Sequence, residues 1–123
     1  MPDVRTVLVV EPAAVLREHL AQAFLNECET IRQMYCMDIR PQLPVHEAGA
    51  LELLAAQRFH DIIIDVNTVE EQWIVKAARQ LACERLYALS DHQPQSALAG
   101  RKCIWIEKHS FERIPYLLII PHC

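Results

Sequence analysis

Four short apolar runs punctuate the chain and set its architecture. Thr6–Val10 (TVLVV), Asp61–Val66 (DIIIDV), Leu86–Leu89 and Cys103–Ile106 lack the apolar–polar alternation of a strand with one wet face. Runs of this length, rich in β-branched residues, predict strands covered on both sides. Between them the period lengthens. From Ala13 to Asn26 apolar residues return at Leu16, Leu20, Ala23 and Phe24, with Cys28 continuing the stripe and Arg17, Glu18 and Gln22 between. That spacing predicts an amphipathic helix. Ala48–Arg58 reads as a second helix of strong formers, striped by Ala50, Leu53, Leu54 and Ala56, and Val69–Ala82 as a third. A weaker helical stretch, Gln95–Ala99, is closed by Gly100. Two segments carry a poorer signal. Thr30–Met37 is a candidate strand with irregular alternation, and Asp38–Val45, which holds Pro41 and Pro44, reads as a loop or a bent edge.

Apolar strands alternating with helices predict a doubly wound α/β domain, a parallel sheet with helices on both faces. The chain has 123 residues and no repeat or linker, so residues 1–123 are expected to form one domain. Sixteen acids against twelve bases give a net charge of −4, which argues against direct nucleic-acid binding. No apolar run approaches the roughly 18–20 residues of a membrane helix, and MPDVRTVLVVEP is not a signal peptide. The expectation is a cytoplasmic protein with no membrane contact. The five cysteines, Cys28, Cys36, Cys83, Cys103 and Cys123, are odd in number and show no C-x-x-C pair, as expected of free thiols in a reducing compartment. The six histidines show no H-x-x-x-H or H-E-x-x-H spacing.

In sheets of this kind functional groups gather beyond the carboxyl ends of the strands. The first run ends in Glu11-Pro12, the second in Asp65-Val66-Asn67, the third in Ser90-Asp91 and the last in Glu107-Lys108. An acid, an aspartate, a hydroxyl and a lysine therefore converge on one edge. Over essentially the whole chain this pattern resembles the receiver domain of bacterial two-component response regulators. The segment ALELLAAQRFHDIIIDVN carries the resemblance most closely. It implies a five-stranded sheet of order 2-1-3-4-5, with Asp65 as phospho-acceptor and Ser90 and Lys108 contacting the phosphoryl group. It also implies Mg²⁺ held by Glu11, Asp65 and the Asn67 carbonyl, and an aromatic switch residue at Trp105. The chemistry of such a set is phosphoryl transfer: a carboxylate attacks phosphorus while a cation, an ammonium and a hydroxyl neutralise the equatorial oxygens.

The departures from that pattern shape the functional expectation. Pro12 stands where the family has its second acid, so a metal loses an oxygen ligand and a negative charge. Glu11 is longer than the usual aspartate, His109 replaces a proline, and the stretch from Asn26 to Ala50 is several residues longer than usual. The cofactor expectation is therefore none, or weakly bound Mg²⁺. The segment Ile114–Pro121 is apolar almost throughout and bracketed by prolines, room for little more than a helical turn or a short strand. Its apolar excess suggests an interface in which Tyr116, Leu117 and Ile120 join Trp105. For Trp105 the readings of partner contact and core packing stand level.

The function expected from these features is that of an atypical receiver-like domain. It acts not as an enzyme but as a regulatory interaction module, a homodimer or a dock for a neighbouring domain, with phosphorylation by a sensor kinase weak or absent. A phospho-accepting receiver that uses Asp65 with Mg²⁺ is the first alternative. A small-molecule or nucleotide-binding α/β domain is the second, opposed by the lack of a Gly-rich loop after the first strand. A hydrolase is less favoured, since no Ser or Cys nucleophile has a neighbouring His at a recognisable elbow.

Overall fold

The computed structural model describes residues 3–66, 83–91, 104–108 and 110–119. The helices expected at Val69–Ala82 and Gln95–Ala99, and His109, lie outside the described residues. The elements are β1 (Asp3–Val10), α1 (Ala14–Tyr35), β2 (Met37–Gln42), α2 (Glu47–Ala56), β3 (Phe59–Asp65), β4 (Cys83–Ser90) and β5 (Ile104–Glu107). A 3-10 turn, Phe111–Arg113, then leads into the single-turn helix α3 (Ile114–Leu117). The strands form one sheet in the order β2-β1-β3-β4-β5, and every neighbouring pair is parallel. This is the doubly wound sheet that the apolar runs predict.

Period-two alternation sorts the strand residues into two cores. Val7, Val9, Ile63, Tyr87, Leu89 and Ile106 face Leu20, Phe24 and Ile31 of α1, with Ile114 and Leu118 from the chain's last described turn. Leu8, Val10, Ile62, Ile64 and Leu86 point the other way, onto Ala50 and Leu54 of α2. Burial of each such aliphatic side chain contributes about 1.5–3 kcal/mol. The adjacent residues of one strand thus serve opposite layers, which is why the runs are apolar without alternation. In α2 only Ala50 and Leu54 of the expected stripe are buried, and Ala56 is exposed.

Two segments fold differently from their sequence signal. Helix α1 does not stop near Asn26 but runs to Tyr35, so Thr30–Met37 is mostly helical and not a strand. Its last turns keep one core anchor, Ile31, while side-chain pairs Gln22–Asn26, Gln33–Glu29 and Arg32–Glu29 line the wet face. Such i,i+3 and i,i+4 pairs support a helix whose apolar stripe has thinned. At 1.5 Å per residue, 22 residues span about 33 Å. Cys36 then ends the helix in the left-handed region, with φ 52° and ψ 42°, its N–H bonded to Arg32 O at 3.1 Å. The second strand therefore begins only at Met37, the last residue of that candidate strand, and runs on to Gln42 through the stretch expected to be a loop or a bent edge. It is the edge strand, paired with β1 alone, which is where a strand tolerates Pro41.

A charged cluster sits on the α1 side of the sheet. Asp61 on β3, with no exposed side-chain surface, accepts from Arg5 Nε at 3.0 Å and from Arg85 Nε at 3.0 Å. Arg85 Nη2 also donates to Leu118 O at 2.7 Å, tying β4 to the end of α3. Tyr87 is buried next along β4, and desolvation together with the Asp61 charge pushes its hydroxyl up to about 12. No helix among the described residues is long and apolar enough to cross a membrane.

Candidate functional site

The parallel register carries the carboxyl ends of four strands to one rim. Val10 pairs with Ile64, Asp65 with Leu89 and Ser90 with Glu107, so the residues that follow β1, β3, β4 and β5 come together. Glu11, Asp65, Ser90 and Lys108 are all buried there, with Asp65 fully enclosed and Glu11 1% exposed. Four polar groups kept from water must satisfy one another or the backbone.

Lys108 Nζ lies 2.9 Å from Asp65 Oδ2. Glu11 Oε1 accepts the Ala13 N–H at 3.0 Å, so the carboxylate does the work of an N-cap ahead of α1, where Ala13 itself has none to offer. Glu11 Oε2 receives no donor among the described residues. The Glu11 carboxyl lies within hydrogen-bonding reach of Asp65, and its pKa is pushed up to about 8. Burial is the main cause, reinforced by Asp65 beside it and opposed by the Ala13 N–H and the Lys108 charge. Two carboxylates and one ammonium leave a net charge of −1, and a proton on Glu11 cancels it.

The backbone around this cluster is held by groups with no motif of their own. Arg17, one turn into α1, donates through Nη1 to Glu11 O at 3.1 Å and Pro12 O at 3.2 Å, and so fixes the turn that carries Glu11. Ser90 O accepts both the Lys108 N–H at 3.1 Å and the Trp105 indole Nε1–H at 3.2 Å. Trp105 remains 40% exposed on β5. It is thus an edge residue pinned by its nitrogen, not part of the core.

Comparison with known proteins follows from this geometry. No protein-family model matches the sequence, and no curated protein matches it. Among solved structures, the Vibrio cholerae chemotaxis protein CheY4 is 17% identical, with 94% of this chain and 96% of that one covered and a TM-score of 0.69. The fold is that of a receiver domain. The REC domain of RcsB from Salmonella enterica serovar Typhimurium shares it more loosely, with 9% identity, 75% of this chain and 65% of that one covered, and a TM-score of 0.51. A putative lipoprotein fragment from Peptoclostridium difficile is also similar, at 9% identity, 94% and 93% coverage and a TM-score of 0.59. Within this receiver fold, Glu11, Asp65, Ser90 and Lys108 occupy the strand ends at which the sequence places them.

Other expected site residues fall elsewhere. Asn67 and Ile120 lie outside the described residues. Tyr116 and Leu117 are half-buried and pack on the chain's own core rather than forming an open apolar strip. Tyr116 donates its O–H to Glu27 Oε2 at 2.5 Å, and His19 stacks on Phe111 with ring centroids 5.5 Å apart. Ile114, Pro115 and Leu118 are buried, so the apolar excess of this segment is spent inward, against α1. A groove of about 590 Å³ runs between α1 and the 3-10 turn, lined by His19, Asn26, Glu107 and Arg113 among others. None of the four rim residues lines it.

The described residues of the rim do not fit a Mg²⁺ ion. Pro12 has no side-chain oxygen, Glu11 Oε1 is committed to Ala13 and Asp65 Oδ2 to Lys108, and Glu11 Oε2, which receives no donor among the described residues, cannot ligate the ion alone. No cluster of three or more His, Cys, Asp or Glu side chains able to hold a metal occurs among the described residues.

Proposed function

We propose that this chain is an atypical receiver-like signalling domain. It regulates by protein contact in the cytoplasm, without catalysing a reaction, and Asp65 accepts phosphate weakly or not at all. One observation carries the reading: Asp65, the acceptor position, is fully enclosed and already neutralised by Lys108 at 2.9 Å. A carboxylate so held is poorly placed to attack an incoming phosphodonor in line. Incubation with acetyl phosphate and Mg²⁺ is expected to leave the intact mass unchanged. A gain of one phosphoryl group that disappears in Asp65→Ala overturns the reading.

That outcome would instead establish the second reading, a phospho-accepting receiver addressed by a sensor kinase. The presence of Lys108 and Ser90 at the Asp65 rim favours it. There an Asp65 oxygen bonds to phosphorus as the bond to acetate breaks, and acetate leaves with the electron pair.

Contact with a partner is the output in the first reading, as a homodimer or with a neighbouring domain. Support comes from Trp105, a large aromatic left 40% exposed at the sheet edge and joined through its indole N–H to the β4 end. Aromatic residues of this kind serve as anchors in interfaces. Sedimentation at rising protein concentration is expected to show self-association that Trp105→Ala weakens. A chain that stays monomeric at high concentration removes the homodimer form of the proposal.

A further inference from the structure

We infer that the rim site works without a divalent cation, and that Pro12 is the residue that makes it so. The inference rests on the receiver-like reading of the rim and concerns what neutralises it. Glu11, Asp65 and Lys108 are each at most 6% exposed, and with both acids ionised they carry two negative charges and one positive. The residual charge is −1. A divalent cation would turn it into +1 inside a water-poor cluster, whereas a single proton on Glu11 cancels it.

The ligand count agrees with the charge count. Mg²⁺ asks for near-octahedral oxygen ligation and gives up its water reluctantly. Of the four acidic oxygens here, Glu11 Oε1 is held by the Ala13 N–H at 3.0 Å and Asp65 Oδ2 by Lys108 Nζ at 2.9 Å, so Glu11 Oε2, which receives no donor among the described residues, and the second Asp65 oxygen are too few for an octahedron that little water can complete. Displacing Lys108 from Asp65 would leave a buried ammonium without its counter-charge. Position 12 is the next residue along the chain, exposed, and carries no oxygen on its side chain. An aspartate there brings the local charge to −2, the balance a divalent cation meets, and its exposure allows the ion to keep several waters.

Titration of the whole chain with MgCl₂ by calorimetry, and with Mn²⁺ by electron paramagnetic resonance, tests this. Wild type is expected to show no saturable site that depends on Glu11 or Asp65. Pro12→Asp is expected to bind at least about tenfold more tightly than wild type. A saturable wild-type site weakened by about tenfold in Glu11→Gln overturns the inference. So does a folded Pro12→Asp protein that binds no better than wild type. If Pro12→Asp does not fold, the wild-type titration still decides. Cation binding that survives both Glu11→Gln and Asp65→Asn lies elsewhere and leaves the rim cation-free, as inferred. The functional reading fails separately: Asp65 phosphorylated in the presence of a chelator sinks that reading while leaving the rim metal-independent. A wild-type metal site without phosphorylation does the reverse.

Discussion

Glu11→Gln is expected to flatten the fall in stability that the wild-type protein shows between mildly acid and mildly alkaline pH. Burial pushes the Glu11 carboxyl up to about 8 in the folded chain, against its ordinary value of 4.5. Between those values the folded state holds a proton that the unfolded chain has released. The sign follows from linkage: stability from this proton is complete below the lower value, declines as pH rises, and is gone above the upper one. At about 1.4 kcal/mol per pH unit, the loss is on the order of 5 kcal/mol. Glutamine keeps the shape and neutrality of the protonated acid, and its amide N–H can donate toward Asp65 as the carboxyl O–H does. Urea unfolding at about pH 5 and about pH 9 is therefore expected to separate wild type from variant only at the higher pH, with the variant the more stable. Parallel pH profiles for the two proteins would remove the shared proton from the description of this site.

Asp61→Ala is expected to produce a loss of comparable size by another route. The wild-type carboxylate accepts from two arginines, each 16% exposed at the side chain. Removing it takes the carboxylate they share from two guanidinium groups in a half-buried space, a class of change that costs about 3–5 kcal/mol. Combining it with Arg5→Met is expected to recover part of the loss, because one of the stranded charges leaves with its partner. Denaturant unfolding measures both. A single-variant loss below about 1 kcal/mol would show that water already screens the cluster.

The parts of this fold that were legible in the sequence are those buried on two faces. Thr6–Val10 and Asp61–Val66 have no wet side to interrupt them, so their apolar runs mark β1 and β3 directly, and the residues that end them mark the rim. The parts that were not legible are those at the edge. β2 pairs on one side only, so Asp38, Arg40 and Pro41 sit in it without cost and leave its sequence divided between a loop and a bent edge. The second half of α1 rests on the single anchor Ile31, too little for periodicity to register. In the terminal segment the composition was plain but its direction was not: nothing in Ile114–Ile119 says that its apolar side chains turn toward α1. The rim shows the same division. Its four side chains announce themselves by type and position, whereas the Ala13 N–H and the Ser90 carbonyl are backbone groups that every residue possesses. Arg17 had a weak signal, a cation one turn into a helix that starts at an acidic strand end, and only the closeness of Glu11 O and Pro12 O gives it a task.

The bond from Arg85 to Leu118 bears on how freely the end of this domain can vary. Arg85 grips a main-chain carbonyl, which is the same whatever residue stands at 118. The latch therefore recognises the route of the chain and is blind to its spelling. Changes at 118 register through the volume they add to or remove from the space beneath α1. A change that reroutes the backbone there instead opens the latch and takes from Arg85 one of the bonds that hold it.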